Sequence, residues 1–168
     1  MIERLWAGWR SQYVSGGIEP PAGDGSLFER ILGSGRPDNE TYVLWRGQCC
    51  AALLNAYPYA SGHVLVVPQR AVVDLDGLDD DETAELWLGV RHAVAAVRAA
   101  YRPEGINVGG NFGLAAGAGV PDHLHMHVLP RWSGDTNFMT SLAEARVMPE
   151  PLGITWQRLS ETWPRSPT

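Results

Sequence analysis

Residues 123 to 129 read His-Leu-His-Met-His-Val-Leu. Polar and apolar side chains alternate without a break, and a period of two belongs to a β-strand with two chemically different faces. Leu124, Met126 and Val128 then form the face that enters a core, and His123, His125 and His127 form the other. At about 3.3 Å per residue, the outer histidines lie roughly 13 Å apart at the Cα. Three of the chain's five histidines stand in this one row, so whatever fold the chain adopts must build a site around one strand face.

The neighbouring segments supply the rest of a sheet. "TYVLWRGQCCAALLN", 41 to 55, has two β-prone runs flanking Arg46-Gly47-Gln48 and reads as a hairpin. "HVLVVP", 63 to 68, is a short apolar strand closed by proline. "GINVGGN", 105 to 111, reads as a strand whose glycines admit close approach by something else. Ser26 followed by Glu29, with Gly33 beyond, predicts a short capped helix. The acidic run 79–82 opens a long helix, with Leu86, Val90, Ala93, Val94 and Val97 at helical spacing. Arg102-Pro103 stops it near residue 101. Strands and helices do not alternate regularly. The expected class is therefore α+β, with a mainly antiparallel sheet of about five strands, one long helix and one short one. A length of 168 residues favours a single domain over 1–168. Residues 1–25 are expected to be an N-terminal arm and 150–168 a weakly patterned C-terminal tail.

The formal net charge of −6 argues against non-specific nucleic-acid binding, which rests on neutralising many phosphates. All basic residues are arginine, so a lysyl-nucleotide intermediate and the usual P-loop are both excluded. No apolar run approaches the about 20 residues of a membrane helix, and the charged, Trp-rich start carries no secretion signal. No membrane association is expected, and the expected location is the cytoplasm. Cys49 and Cys50 are adjacent in an apolar run and read as core thiols rather than a disulfide framework.

Three chemistries are open to the histidine row on the residues alone. It can be a solvated polar face, a pair of metal ligands awaiting a third, or a nucleophile with a neighbouring imidazole to handle the proton. The third gains from the segment just before it. The small-residue loop 113–119 can offer backbone N–H groups to phosphate oxygens, and Asn111 opens that loop. Nucleophile, amide cradle and polar anchor together describe phosphoryl or nucleotidyl transfer.

"HLHMHVLP" resembles the signature of the histidine triad superfamily, three histidines alternating with apolar residues. "LLNAYPYASGHVLVVPQR", 53 to 70, is similar to the family's upstream block, with Asn55 and His63 eight apart. "NVGGNFG", 107 to 113, resembles the strand before the phosphate loop, so the likeness covers about 41–140. Residues 3–14 and 130–140 resemble a bacterial branch containing diadenosine tetraphosphate phosphorylases and related hydrolases. The resemblance implies that His125 attacks an α-phosphorus to form a nucleotidyl-histidine. It implies that His127 contacts the phosphate and bridging oxygen, that the backbone at His123 orients His125, and that His63 supports the row. Asn55 would bind ribose hydroxyls, Asn111 the phosphate side, and Gly117, Ala118 and Gly119 the phosphate through backbone amides. Water or inorganic phosphate would release the nucleotide.

The implied substrate is a dinucleoside polyphosphate or an AMP derivative, with inorganic phosphate as a possible co-substrate and a homodimer as the usual assembly. Hydrolysis of nucleoside 5′-phosphoramidates is the alternative activity, and a nucleotide-binding regulator with little turnover is the non-enzymatic one. Two positions depart from the family pattern. Many bacterial relatives carry Cys-x-x-Cys in the early helix as half of a structural zinc site. Here that stretch is Ser26-Leu27-Phe28-Glu29, so no structural zinc, and no other cofactor, is expected. The loop before the row reads Ala118-Gly119-Val120 where a Ser or Thr is common, so a hydroxyl contact to phosphate is missing.

Overall fold

A computed structural model describes residues 23–135 and 150–164. The first helix, α1 (Leu27–Leu32), starts at a complete capping box: Ser26 Oγ accepts the Glu29 N–H, and the Glu29 carboxylate accepts the Ser26 N–H. A single turn, α2 (Asp38–Thr41), leads into β1 (Val43–Arg46) and β2 (Cys50–Leu54). β3 (Val64–Pro68) follows a loop in which Gly62, just before His63, has φ +86. A side chain at Gly62 would be strained and would press on the Tyr101 ring at 2.9 Å. The long helix α3 (Asp80–Tyr101) opens at a second capping box, Asp79 with Glu82, and ends at Arg102 in the left-handed region directly before Pro103. β4 (Gly105–Gly110), β5 (Met126–Arg131) and α4 (Leu152–Thr162) complete the order.

The five strands form one sheet in the order β1-β2-β3-β5-β4, every pairing antiparallel. α3 and α4 cover one face, where Leu86, Ala93, Val97 and Leu159 pack on Ala52, Val66, Met126 and Val128. The helix lies very close to the sheet: a Cβ on Gly89 would meet Val66 at 2.8 Å. The other face carries a smaller layer, Phe28 of α1 over Val43, Ala51, Leu53, Leu65 and Val67. Leu65 stands opposite His127 in the β3–β5 register. The histidine face is therefore the face of this small layer, and one sheet supports both core and site.

Three expectations are corrected. The strand expected over the whole histidine row begins only at Met126, so His123 and His125 lie before it. Continuing the register that pairs Val66 with Met126 would set Pro68 opposite Leu124. Pro68 has no N–H to give, so the ladder stops, and the Leu124 N–H goes to the Val72 carbonyl at 2.6 Å instead. Among the described residues there are four helices, two of them long, so α2 and α4 add to the expected long and short ones. The described part of the expected tail, 150–164, is ordered into a helix: α4 buries Thr155 and Leu159, and Trp156 Nε1 donates to the Val43 carbonyl at 2.7 Å. Residues 1–22 of the expected arm, including all of the stretch 3–14, lie outside the described residues, as do 136–149.

Candidate active site

His123 is fully buried. Its Nε2 lies 2.9 Å from the Pro68 carbonyl, and a carbonyl only accepts, so Nε2 carries the ring proton. Nδ1 is then a bare acceptor, and the Ser26 hydroxyl donates to it in a short contact. The His123 carbonyl in turn accepts from His125 Nδ1 at 2.8 Å. This fixes the tautomer of His125: the proton sits on Nδ1, and Nε2 keeps its lone pair. Burial pushes the pKa of both imidazoles below the ordinary value of 6.5, their carbonyl bonds opposing it. His125 is thus held as a neutral, oriented base with one lone pair to offer.

A second chain of hydrogen bonds fixes His127. The backbone N–H of Tyr59 donates to His63 Nδ1 at 3.1 Å. The His63 proton must then be on Nε2, which lies 2.9 Å from His127 Nδ1. His127 accepts there, and its own proton is carried on Nε2. His125 and His127 meet with ring centroids 5.0 Å apart at 65°. The two adjacent imidazoles therefore differ in state, one presenting a lone pair and the other an N–H. Phe28 closes one side, edge-on to His123 at 5.1 Å and tilted over His125 at 5.5 Å. Tyr59 closes the other, 4.7 Å from His63 and stacked at 15° to His127. Across β5 from Leu65, the partner of His127 is Gly109, where a Cβ would meet nothing within 4 Å. That glycine leaves open space beside the imidazole pair.

The other predicted residues are distributed around this pair. Asn55 is buried, its carboxamide oxygen accepts the Tyr57 N–H at 2.9 Å, and its amide nitrogen lies 3.4 Å from His63 Nδ1. It thus braces the loop that presents His63. Asn111 leaves the end of β4 half-exposed. The loop 113–119 folds on itself: Gly117 N–H bonds Leu114 O, and Ala118 N–H bonds Gly113 O. As folded, Gly117 and Ala118 use their amides within the loop, while Gly119 stands exposed. Arg131 is paired bidentately with Asp135 and also donates to Asn107, so its fork is occupied.

The HIT domain family matches residues 36–134, a span that holds the whole imidazole arrangement. The chain belongs to the HIT family. It is 38% identical to the AP-4-A phosphorylase of Mycobacterium tuberculosis over 174 residues, covering 99% of this chain and 87% of that protein. It is also 38% identical to the asymmetrical bis(5′-nucleosyl)-tetraphosphatase of Schizosaccharomyces pombe, over 55% of this chain and 50% of that one. Both relatives are HIT-family enzymes. A HIT-like protein from Bartonella henselae shares the fold at a TM-score of 0.67 and 22% identity, covering 84% of this chain and 98% of that one.

The HIT site of this chain differs from a metal centre in its donors. His123 has both ring nitrogens committed, one to a carbonyl and one to a hydroxyl. Glu29 accepts the N–H groups of Ser26 and Ala71. With both nitrogens committed, His123 offers a metal ion no free ligand atom. The cysteines are far from reactive: burial pushes the Cys50 thiol up to about 12 and raises Cys49 as well. No helix of the described residues is long and apolar enough to cross a membrane. Sequence reasoning missed Ser26 and Phe28 as parts of the site, Ser26 having read as a helix cap and Phe28 having carried no signal of its own. It also missed Tyr59, which lay in a loop defined by its proline and glycine.

Proposed function

We propose that this HIT-family enzyme cleaves the α-phosphate anhydride of a dinucleoside polyphosphate through a nucleotidyl group on His125. The carrying observation is the His125 Nδ1–H bond to the His123 carbonyl, which leaves Nε2 as a buried, neutral nucleophile. In the first step Nε2 forms a bond to the α-phosphorus, and the bond from that phosphorus to the bridging oxygen breaks. The oxygen leaves with the bonding electron pair as the polyphosphate anion, its charge met by a hydrogen bond from His127 Nε2–H, whose placement follows from the His63 relay. In the second step an oxygen of inorganic phosphate, or of water, forms the new bond to phosphorus as the bond to His125 breaks. An anionic phosphate oxygen brings no proton to the new bond, and a water acceptor releases its proton to solvent. Asn111 and the exposed end of the loop at Gly119 face the phosphates, the amides of Gly117 and Ala118 joining them if the loop opens, and Asn55 serves the ribose side. The reaction uses no cofactor.

The named relatives favour this substrate class, and the Mycobacterium protein's name favours phosphate over water as the acceptor. The free thiols suit a reducing cytoplasm. A homodimer is the assembly we infer, because α4 covers the β1 edge of the sheet while β4 presents the other edge with Val108 exposed. Product analysis tests the reaction. Diadenosine tetraphosphate incubated with the protein should yield ADP and ATP when inorganic phosphate is present. AMP and ATP formed irrespective of phosphate would make water the acceptor, and no cleavage under either condition would contradict the proposal.

A further inference from the structure

The cap of α1 reaches into the site. Ser26 Oγ accepts the Glu29 N–H at 3.3 Å, which caps the helix, and its own proton is directed the other way, into His123 Nδ1. Ser26 is itself buried at 6% exposure and His123 at 0%, so neither partner has water as a substitute. The His123 ring is thereby held at both nitrogens, by Ser26 and by the Pro68 carbonyl, and its carbonyl holds His125. Glu29 secures the arrangement from outside: one carboxylate oxygen takes the Ser26 N–H at 2.8 Å and the other takes the Ala71 N–H at 3.0 Å, three residues past Pro68.

We propose that Ser26 is a positioning residue for the proposed reaction, its hydroxyl proton fixing the tautomer of His123 and, through the His123 backbone, the aim of His125. This rests on the reading of His125 as nucleophile. A helix cap needs only an acceptor, whereas this role needs a donor as well, and the two requirements separate cleanly by substitution. Thr supplies both. Asp caps at least as well but, ionised, can only accept. Facing the lone pair of His123 Nδ1, it draws a second proton onto the ring.

The test compares Ser26→Thr and Ser26→Asp, with diadenosine tetraphosphate as the probe and ¹⁵N NMR of the imidazoles as the independent readout. In the unmodified protein His123 should be protonated on Nε2 and bare on Nδ1 at neutral pH. A proton on Nδ1 there overturns the proposal without any variant. Ser26→Thr should keep that pattern and turn over as the unmodified protein does. Ser26→Asp should fold with both His123 nitrogens protonated. Its kcat should fall roughly 10- to 100-fold, the scale of a small misplacement of a reacting group, with KM within a factor of about two. Full kcat in a folded Ser26→Asp overturns the proposal. Full activity in His125→Ala would instead overturn the nucleophile assignment, so the two failures are distinguishable.

Discussion

At the residue scale, the decisive facts are the protonation states of four imidazoles packed against one another. His125→Ala removes the imidazole held with its Nε2 lone pair oriented into the site. Turnover should fall by roughly 10⁴-fold or more, the scale seen when a nucleophile is deleted, while the denaturation midpoint stays near that of the unmodified protein. The same burial makes stability depend on pH. The folded pKa values of His123 and His125 lie below 6.5, so between the ordinary value and the lowered ones the unfolded chain binds protons that the folded chain does not. Stability therefore rises with pH through that window and is lost as pH falls below about 6.5. Urea midpoints taken on acidification should decline there, and less steeply in His125→Ala. A flat profile would contradict the assignment. The row of histidines was legible because strict alternation is a strong signal. Its wiring was not, since which nitrogen carries a proton depends on partners 55 and 97 residues away in the chain.

At the scale of elements, the hairpin β1–β2 is fastened to α3 by one carboxylate. Glu85 accepts the backbone N–H groups of Gln48, Cys49 and Cys50, three donors at the mouth of the hairpin. Gly47 leaves the room this needs, since a Cβ there would meet Glu85 at 2.5 Å. Glu85→Ala should destabilise the fold by about 2 kcal/mol, the scale of hydrogen bonds to a charged group. It should appear as a lower urea midpoint at unchanged slope, with kcat unaltered. The hairpin, β3, β4, α1 and α3 were all legible from periodicity, caps and proline stops. α4 was not, although Leu152, Trp156, Leu159 and Trp163 recur at helical spacing. Pro149, Pro151 and Pro164 flank them, the N-cap makes no side-chain bond, and only packing against α3 and β1 makes the segment a helix.

At the scale of the whole molecule, the sheet divides labour between its faces. α3 and α4 bury one face and make it rigid, while the thinner layer under Phe28 leaves room for the imidazoles. The antiparallel α+β architecture followed from the irregular order of strands and helices. How far the histidine row would be paired did not, because it turned on Pro68 ending a ladder from the neighbouring strand. The exposed β4 edge carries the assembly prediction. Val108→Arg, on a strand that pairs on one side only among the described residues, should convert a dimer into monomers by sedimentation analysis. An unmodified protein that sediments as a monomer would contradict the assembly.

The most direct measurement is to catch the intermediate. Diadenosine tetraphosphate labelled at the α-phosphorus is mixed with the protein without inorganic phosphate, quenched in alkali within the first turnover, and the digested peptides are mapped by mass spectrometry. Label should lie on His125 and discharge as ADP when phosphate is added before the quench. Turnover with label on no histidine, or on His127 instead, would contradict the account.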